Sequence, residues 1–259
     1  MKLLHFDYRM EISYSTSVDK CYYTIKCIPK NSGSQRLENY EVYFEPETKY
    51  SIGTDGFSNS YFFGNEPEPH TKFVFGIKGT VTTGLEVTEA EDDMKIAVYR
   101  HPYGLNAAGD SIRAYHGSFE FDSDMTGYDK SVVMMQKLYQ DFVYQKQVTD
   151  NNTGAEAAFT LGKGVCQDYA HILIALCHLE GIPARYVAGM MIGEGASHAW
   201  VEICQDGYWY GIDPTNNKLV DEDYIKLSHG RDASDCLINR GVIVGGGDQS
   251  QTVDVKVWE

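Results

Sequence analysis

One apolar segment constrains the fold more than any other feature of this sequence. Residues 170–179, AHILIALCHL, are apolar nearly all round at helical spacing. Gly181 and Pro183 follow, and such residues are typical of a helix end. A helix that is apolar on every side is usually buried in the protein interior. The sequence therefore predicts a buried central helix over residues 166–180.

The region before this helix begins with β structure. Three runs with apolar–polar alternation lie at residues 22–28, 40–44 and 72–77, and clusters of Gly, Asn, Ser and Pro separate them. No convincing helix is present there. We predict a small antiparallel β domain over residues 1–88.

The next segment contains mixed elements. A helix is expected within residues 89–99, stopped by Pro102, and irregular connections are expected around residues 104–117. Residues 129–144 should form an amphipathic helix, because apolar residues recur there at intervals of three and four. Its predicted apolar face comprises Val132, Met135, Leu138, Tyr139 and Phe142.

After the central helix the pattern returns to β. The strand candidates are residues 185–192, 199–204, 208–213, 241–245 and 252–258. Strands, then helices, then strands indicate an α+β fold. We expect two domains, the β domain at residues 1–88 and a second domain at residues 89–259.

The formal net charge of −15 excludes some partners. Such a surface repels phosphate backbones and anionic lipid, so we expect neither nucleic acid nor a membrane as partner. Neutral or basic substrates are mildly favoured. The N-terminal residues lack the apolar segment of a signal peptide, and no run approaches transmembrane length. A cytoplasmic location is therefore expected.

Among the six cysteines, Cys166 has a distinctive position. No pair shows C-x-x-C spacing, so buried thiols are the default interpretation. Cys166, however, lies where a glycine-bearing loop enters the central helix. Free backbone N–H groups and the positive end of the helix dipole stabilise a thiolate there and could receive an oxyanion. Cys177, in the middle of the helix, is expected to be a core residue.

A thiolate that attacks a carbonyl needs a proton donor for the leaving group, usually histidine. His171 and His178 lie on the central helix and are poorly placed for this role, so we interpret both as buried, satisfied side chains. His198 begins a predicted strand, in the segment SHAWVE. It is the favoured candidate for the catalytic base.

The register of a predicted hairpin connects His198 to Asp213. If Asp206 and Gly207 form a two-residue turn, the residue numbers of any two residues that face each other across the hairpin add up to 413. Asp213 is then diagonal to His198 on one sheet face, and a carboxylate can reach an imidazole over that distance. A slip of one residue would place them on opposite faces. Asp213, which precedes a proline, could alternatively be a turn residue.

Four sequence blocks carry a family resemblance. They are GVCQDYAH from Gly164, GIPARYV from Gly181, SHAWVE from Ser197 and DPTN from Asp213. In this order they resemble the bacterial transglutaminase-like proteins, which are often described as cysteine proteases. The blocks cover about residues 130–245, and the β-rich start resembles the family's N-terminal domain more weakly.

The resemblance implies a papain-like core, with a central helix packed on an antiparallel sheet. It also implies a Cys-His-Asp triad of Cys166, His198 and Asp213 that attacks an amide or ester carbonyl and forms a thioester. Water would complete hydrolysis of a peptide or protein substrate, which is the leading hypothesis. Transfer to an amine and a non-catalytic binding module are the alternatives. No cofactor or metal is expected.

Several neighbouring residues are candidates for support. Gln167 and the backbone N–H of Cys166 could bind an oxyanion, although Gln167 could equally face solvent. Tyr144 could reach the site or serve in packing, and Trp200 is expected to pack beside the triad. Asp168 lies in the first turn of the helix, where an acid stabilises the dipole, and could also pair with Arg185.

Overall fold

The computed structural model describes residues 1–90 and 93–259. The helices are α1 (Asp93–Ala97), α2 (Asp110–His116), α3 (Gly127–Asp141), α4 (Ala155–Leu161) and α5 (Cys166–Leu179), with short 3-10 turns at Gly104–Asn106 and Ala233–Asp235. The strands are β1 (Lys2–Ile25), β2 (Gln35–Glu45), β3 (Tyr50–Thr54), β4 (Ser60–Glu66), β5 (His70–Thr83), β6 (Thr88–Glu89), β7 (Val143–Tyr144), β8 (Lys163–Gly164), β9 (Ala184–Met191), β10 (Gly193–Gly195), β11 (His198–Gln205), β12 (Tyr208–Asp213), β13 (Lys218–Leu219), β14 (Tyr224–Gly230), β15 (Asn239–Gly245) and β16 (Gln249–Trp258). These elements form an α+β fold, as predicted.

The first sheet is built around β1, a strand of 24 residues. Its first half pairs antiparallel with β5 and β16, and its second half with β4 and β15. The side chains of Leu4, Phe6, Tyr8 and Met10 are buried, and those between them lie nearer the surface. This period of two is that of a strand with one face on the core. The strand starts at Lys2, well before the predicted run at 22–28.

The two C-terminal strands belong to this first sheet. β15 and β16 both pair with β1, so the chain returns to its beginning. The sequence analysis placed these strands in the second domain, whereas the sheet that they join is the one built around β1. A strand as long as β1 offers many backbone groups that need partners, and the C-terminal strands supply them. The division at residue 88 stays a prediction.

The second sheet carries the central helix. Its strand order is β13-β12-β11-β9-β14, and β6 pairs with β12 at its edge. Leu173 and Leu176 of α5 share one buried cluster with Val201 and Ile203 of β11. The observed helix, Cys166–Leu179, confirms the predicted central helix. A helix packed on an antiparallel sheet is the core that the family resemblance implies.

The other helices agree with the sequence analysis in part. α3 confirms the predicted amphipathic helix, and Met135 and Leu138 are buried on its inner face. Tyr139 is 46% exposed, so its assignment to that face is wrong, and Met134 lies there instead. The region predicted to be irregular contains α2. A helix was also predicted within residues 89–99. Residues 91–92 lie outside the described residues, and α1 lies in the rest of that range.

One element of the second sheet was not predicted. Every residue of β14 is buried, including Lys226 and His229. Burial of both faces removes the apolar–polar alternation by which a half-exposed strand is recognised.

No helix among the described residues is both long enough and apolar enough to cross a lipid bilayer.

Candidate active site

Cys166 is the first residue of α5, immediately after Val165 at the N-cap position. The loop before it is held by Asp168, whose Oδ2 accepts hydrogen bonds from the Val165 backbone N–H and the Thr149 hydroxyl, both at 2.7 Å. Gly164 packs so closely against Asp168 that a Cβ atom there would collide with the carboxylate. The glycine and the carboxylate thus fix the backbone that presents Cys166.

Asp168 does not pair with Arg185, so that alternative is wrong. The Nε of Arg185 lies 2.7 Å from Oε2 of Glu202. Successive side chains of β9 point to opposite faces, and Tyr186 faces α5 while Arg185 faces away from it. Burial raises the pKa of Asp168, although its two hydrogen-bond donors act in the opposite direction.

The hairpin formed by β11 and β12 has the predicted register. Gln205 pairs with Tyr208, and Asp206 and Gly207 form a two-residue turn with φ of 52° and 82°. Positive φ at both turn residues is characteristic of the type I′ turn, which suits Asp-Gly. The pairing of residues whose numbers sum to 413 is therefore confirmed.

His198 and Asp213 are in direct contact, as this register predicts. Nε2 of His198 lies 2.7 Å from Oδ2 of Asp213, whose side chain is fully buried. The Asn216 side-chain amide and the Tyr224 hydroxyl donate to the same oxygen at 2.7 and 2.8 Å. The Thr215 backbone N–H donates to Oδ1 at 2.9 Å. Burial by itself would raise the pKa of Asp213, but these partners, led by His198, lower it.

The protonated form of His198 is stabilised by its two neighbours. Burial opposes the charge, but the hydrogen bond with Asp213, and after it the nearby Cys166 thiol, raise the pKa of His198 to about 10. Because Asp213 occupies Nε2, Nδ1 is the ring nitrogen that remains for the thiol. The structure therefore joins His198 to Asp213 directly and places Cys166 with His198 in the wall of one cleft.

A cleft of about 280 Å³ adjoins these residues. Cys166, Gln167 and His198 line one side of it. The opposite wall comes from the first sheet, through Tyr8 of β1 and Gln251 of β16. Among the described residues, no Asp, Glu, Lys or Arg side chain lines this cleft. The arrangement can accommodate an uncharged acyl group beside the thiol.

The predicted supporting residues differ in their placement. Gln167 lies in the cleft wall, and its Nε2 is 3.4 Å from the Asp150 carbonyl oxygen. Tyr144 is 48% exposed, and burial together with the nearby Cys166 thiol raises its pKa, which places it close to the site. Trp200 is buried, and its ring stacks on His198 with 6.3 Å between centroids.

Tyr224 is a contact that the sequence analysis missed. It lies on the unpredicted strand β14, and its ring packs edge-on against Trp200 at 5.4 Å. No local pattern marks it, because its partner Asp213 is on another strand. Asn216 was part of a quoted block, but no contact was predicted for it. In the part of the chain that is described, no group of three or more His, Cys, Asp or Glu side chains is arranged to hold a metal ion.

Comparisons with known proteins agree with this fold. Residues 118–214 match the model of the transglutaminase-like superfamily core, and residues 4–82 match the bacterial transglutaminase-like N-terminal region. An uncharacterized protein of Mycobacterium tuberculosis is 28% identical over 96% of this chain and 90% of its own length. A protein of Mycobacterium leprae is 37% identical over 37% of each chain.

One solved structure matches the whole chain. It is a protein from Cytophaga hutchinsonii described as a candidate cysteine protease, with a TM-score of 0.80, 22% identity, and coverage of 100% of this chain and 91% of that chain. At this identity the likeness establishes the fold alone. Tyr224 and the C-terminal strands lie outside both family matches. The chain thus combines, in the predicted order, a region that matches the bacterial transglutaminase-like N-terminal region and a region that matches the transglutaminase-like superfamily core.

Proposed function

We propose that this protein is a cysteine hydrolase that cleaves amide bonds, of peptide or isopeptide type, through a thioester intermediate. Cys166 is the nucleophile, His198 the general base and acid, and Asp213 the residue that orients His198. One observation carries the proposal: His198 bonds to the buried Asp213 carboxylate and lines one cleft with Cys166, which begins a buried helix.

In the first step, the Cys166 thiolate attacks the carbonyl carbon of the substrate amide. The oxyanion that forms is stabilised by the backbone N–H of Cys166 at the helix start, with the Gln167 side chain as a second donor. Protonated His198 transfers its proton to the leaving nitrogen. The carbon–nitrogen bond then breaks, an amine departs and the acyl group remains on Cys166 as a thioester.

In the second step, neutral His198 takes a proton from a water molecule. The hydroxide attacks the thioester carbon, the carbon–sulfur bond breaks, and the carboxylic acid leaves. Asp213 stabilises the imidazolium that forms in this step, because its carboxylate stays ionised and bonded to Nε2. The thiolate and imidazolium are restored for another cycle.

The cleft suggests the kind of acyl group that is accepted. Because its described lining residues include no carboxylate, lysine or arginine, a charged substrate side chain would be buried there without a counter-charge. An uncharged acyl group on a peptide or protein is the proposed substrate. The description of the Cytophaga hutchinsonii protein as a candidate cysteine protease supports hydrolysis.

The test separates hydrolysis from transfer and from binding without catalysis. A quenched peptide with neutral side chains is incubated with the protein, with and without a primary amine, and the products are identified by mass spectrometry. We expect the free acid as main product in both cases and no turnover by Cys166→Ser. An amine adduct as the main product would make the protein an acyl transferase. Absence of any thioester with a broad panel of amides and esters would favour a binding module.

A further inference from the structure

A second cavity lies on the other face of the catalytic sheet. It has a volume of about 530 Å³ and is lined by residues 83–88 and by side chains of β11, β12 and β14. Along β11, Ala199 lines the cleft beside Cys166, whereas Trp200 and Glu202 line this cavity. The sheet separates the two spaces except at the first residue of β11, where His198 lines the cleft and stacks on Trp200. The volume lies within the usual range for small-molecule sites.

The floor of this rear cavity is aromatic. Trp200, Trp209 and Tyr224 line it, and all three are buried. The faces of such rings carry negative potential and attract cations. Two resident examples are already present: the Lys218 ammonium lies 5.5 Å from the centroid of the Tyr224 ring, and the Arg185 guanidinium lies 3.8 Å from that of the Trp209 ring.

The charges around the cavity do not cancel. Four carboxylates line it: those of Glu86, Glu202, Asp221 and Glu222. Glu202 is neutralised by Lys226 at 2.6 Å, and Asp221 by Lys218 at 2.8 Å. Glu86 and Glu222 have no ion-pair partner among the residues that the structure describes. Two uncompensated negative charges therefore remain above an aromatic floor.

We propose that the rear cavity binds a small organic ammonium cation. The apolar body of the ligand would contact the tryptophan rings, and its ammonium group would lie near Glu86 and Glu222. Anionic ligands are disfavoured, since the ammonium group of Lys226 is already held by Glu202. This binding does not require the thiol chemistry proposed above. An occupant would, however, touch Trp200 and Tyr224, which contact His198 and Asp213 respectively.

The test uses the full chain and two matched probes. Calorimetric titrations at low salt compare 2-phenylethylammonium with neutral 2-phenylethanol. We expect the ammonium probe to bind about tenfold more tightly than the alcohol. Glu86→Gln with Glu222→Gln should weaken the ammonium probe about tenfold and leave the alcohol unchanged. The control Glu47→Gln with Asp248→Asn removes the same charge from two exposed sites elsewhere and should have little effect.

Two results would overturn the proposal. One is equal affinity for both probes, or equal losses in the two double variants, because the cavity would then make no use of its carboxylates. The other is loss of binding after Cys166 is alkylated, because the probe would then lie in the front cleft. An inactive protein that still binds the ammonium probe would refute the proposed hydrolase and leave this site intact.

Discussion

Nε2 of His198 lies 2.7 Å from Oδ2 of Asp213, and the two residues stand on adjacent strands of one hairpin. The turn of that hairpin has two residues, so a short stretch of chain sets the distance between imidazole and carboxylate. The Cys166 thiol approaches the same imidazole from a separate element, α5.

Asp213→Asn should lower both the activity and the pKa of His198. The carboxylate helps to raise that pKa to about 10, so the wild-type imidazolium persists until the pH rises through that value. Without the carboxylate, the imidazolium should be lost at a lower pH, and kcat should fall by about 10²–10⁴-fold. The measurement is the rate of Cys166 alkylation from pH 5 to pH 10. If the alkylation rate of the variant changes at the same alkaline pH as that of the wild type, Asp213 does not have this role.

Cys166 should be the most reactive of the six thiols. Cys166 is partly exposed in the cleft that His198 also lines, whereas burial raises the pKa of Cys177 to about 12. At pH 6 we expect iodoacetamide to label Cys166 at least about tenfold faster than free cysteine. Peptide mapping identifies the labelled residue, and His198→Ala should slow the labelling. Earlier modification of Cys177 or Cys204 would show that the site is misassigned.

Tyr224→Phe should weaken the positioning of the triad without breaking it. The variant removes one donor to Oδ2 of Asp213 and keeps the ring against Trp200. A lost hydrogen bond of about 1 kcal/mol corresponds to roughly a fivefold decrease in kcat, with KM unchanged. The exposed Tyr139→Phe serves as the matched control. If both variants retain full kcat, the Tyr224 hydroxyl has no part in catalysis.

Glu202→Gln should destabilise the fold. Glu202 accepts from both Arg185 and Lys226, and these cations lower its pKa to about 2 against the opposing effect of burial. Burial and the charge of Arg185 lower the pKa of Lys226 to about 7, and the bond to Glu202 opposes that shift, so the one carboxylate stabilises both buried cations. We expect a loss of about 3–5 kcal/mol in urea unfolding at pH 7.

The same carboxylate predicts how stability changes in acid. A group whose pKa is lowered on folding stabilises the protein above its unfolded pKa, near 4.5 for Glu202. That contribution should be lost as the pH falls from about 4.5 to about 2. The wild type should therefore lose more stability over this range than Glu202→Gln does. If the free energy of unfolding changes with pH in the same way in both proteins, the ionisation of Glu202 does not contribute to acid unfolding.

Residues 1–88 should not fold in isolation. β1 pairs with β16 along its first half and with β15 along its second, and the buried Val255 and Val257 belong to the core of the first sheet. Without these strands β1 loses hydrogen-bond partners and core contacts. Limited proteolysis should degrade a 1–88 fragment rapidly, whereas the full chain resists. A protease-resistant, cooperatively unfolding fragment would show that the predicted domain is independent.

Features that depend on short stretches of sequence were predictable. The central helix was predicted from a continuous apolar segment that is followed by Gly181 and Pro183. The His198–Asp213 contact was predicted from a two-residue turn. The alternation of Leu4, Phe6 and Tyr8 also marks a strand, although the predicted runs begin only at residue 22. Burial on both faces hid β14, and with it Tyr224.

The sequence by itself determined which cysteine begins the central helix and how His198 lies relative to Asp213, because both depend on neighbours within one helix or one hairpin. Only the tertiary structure decided that β16 returns to pair with β1, that the first sheet walls the cleft, and that Tyr224 completes the bonding of Asp213. These contacts join residues far apart in the chain or on elements with no local signal. Their geometry arises from packing between elements, which no local pattern records.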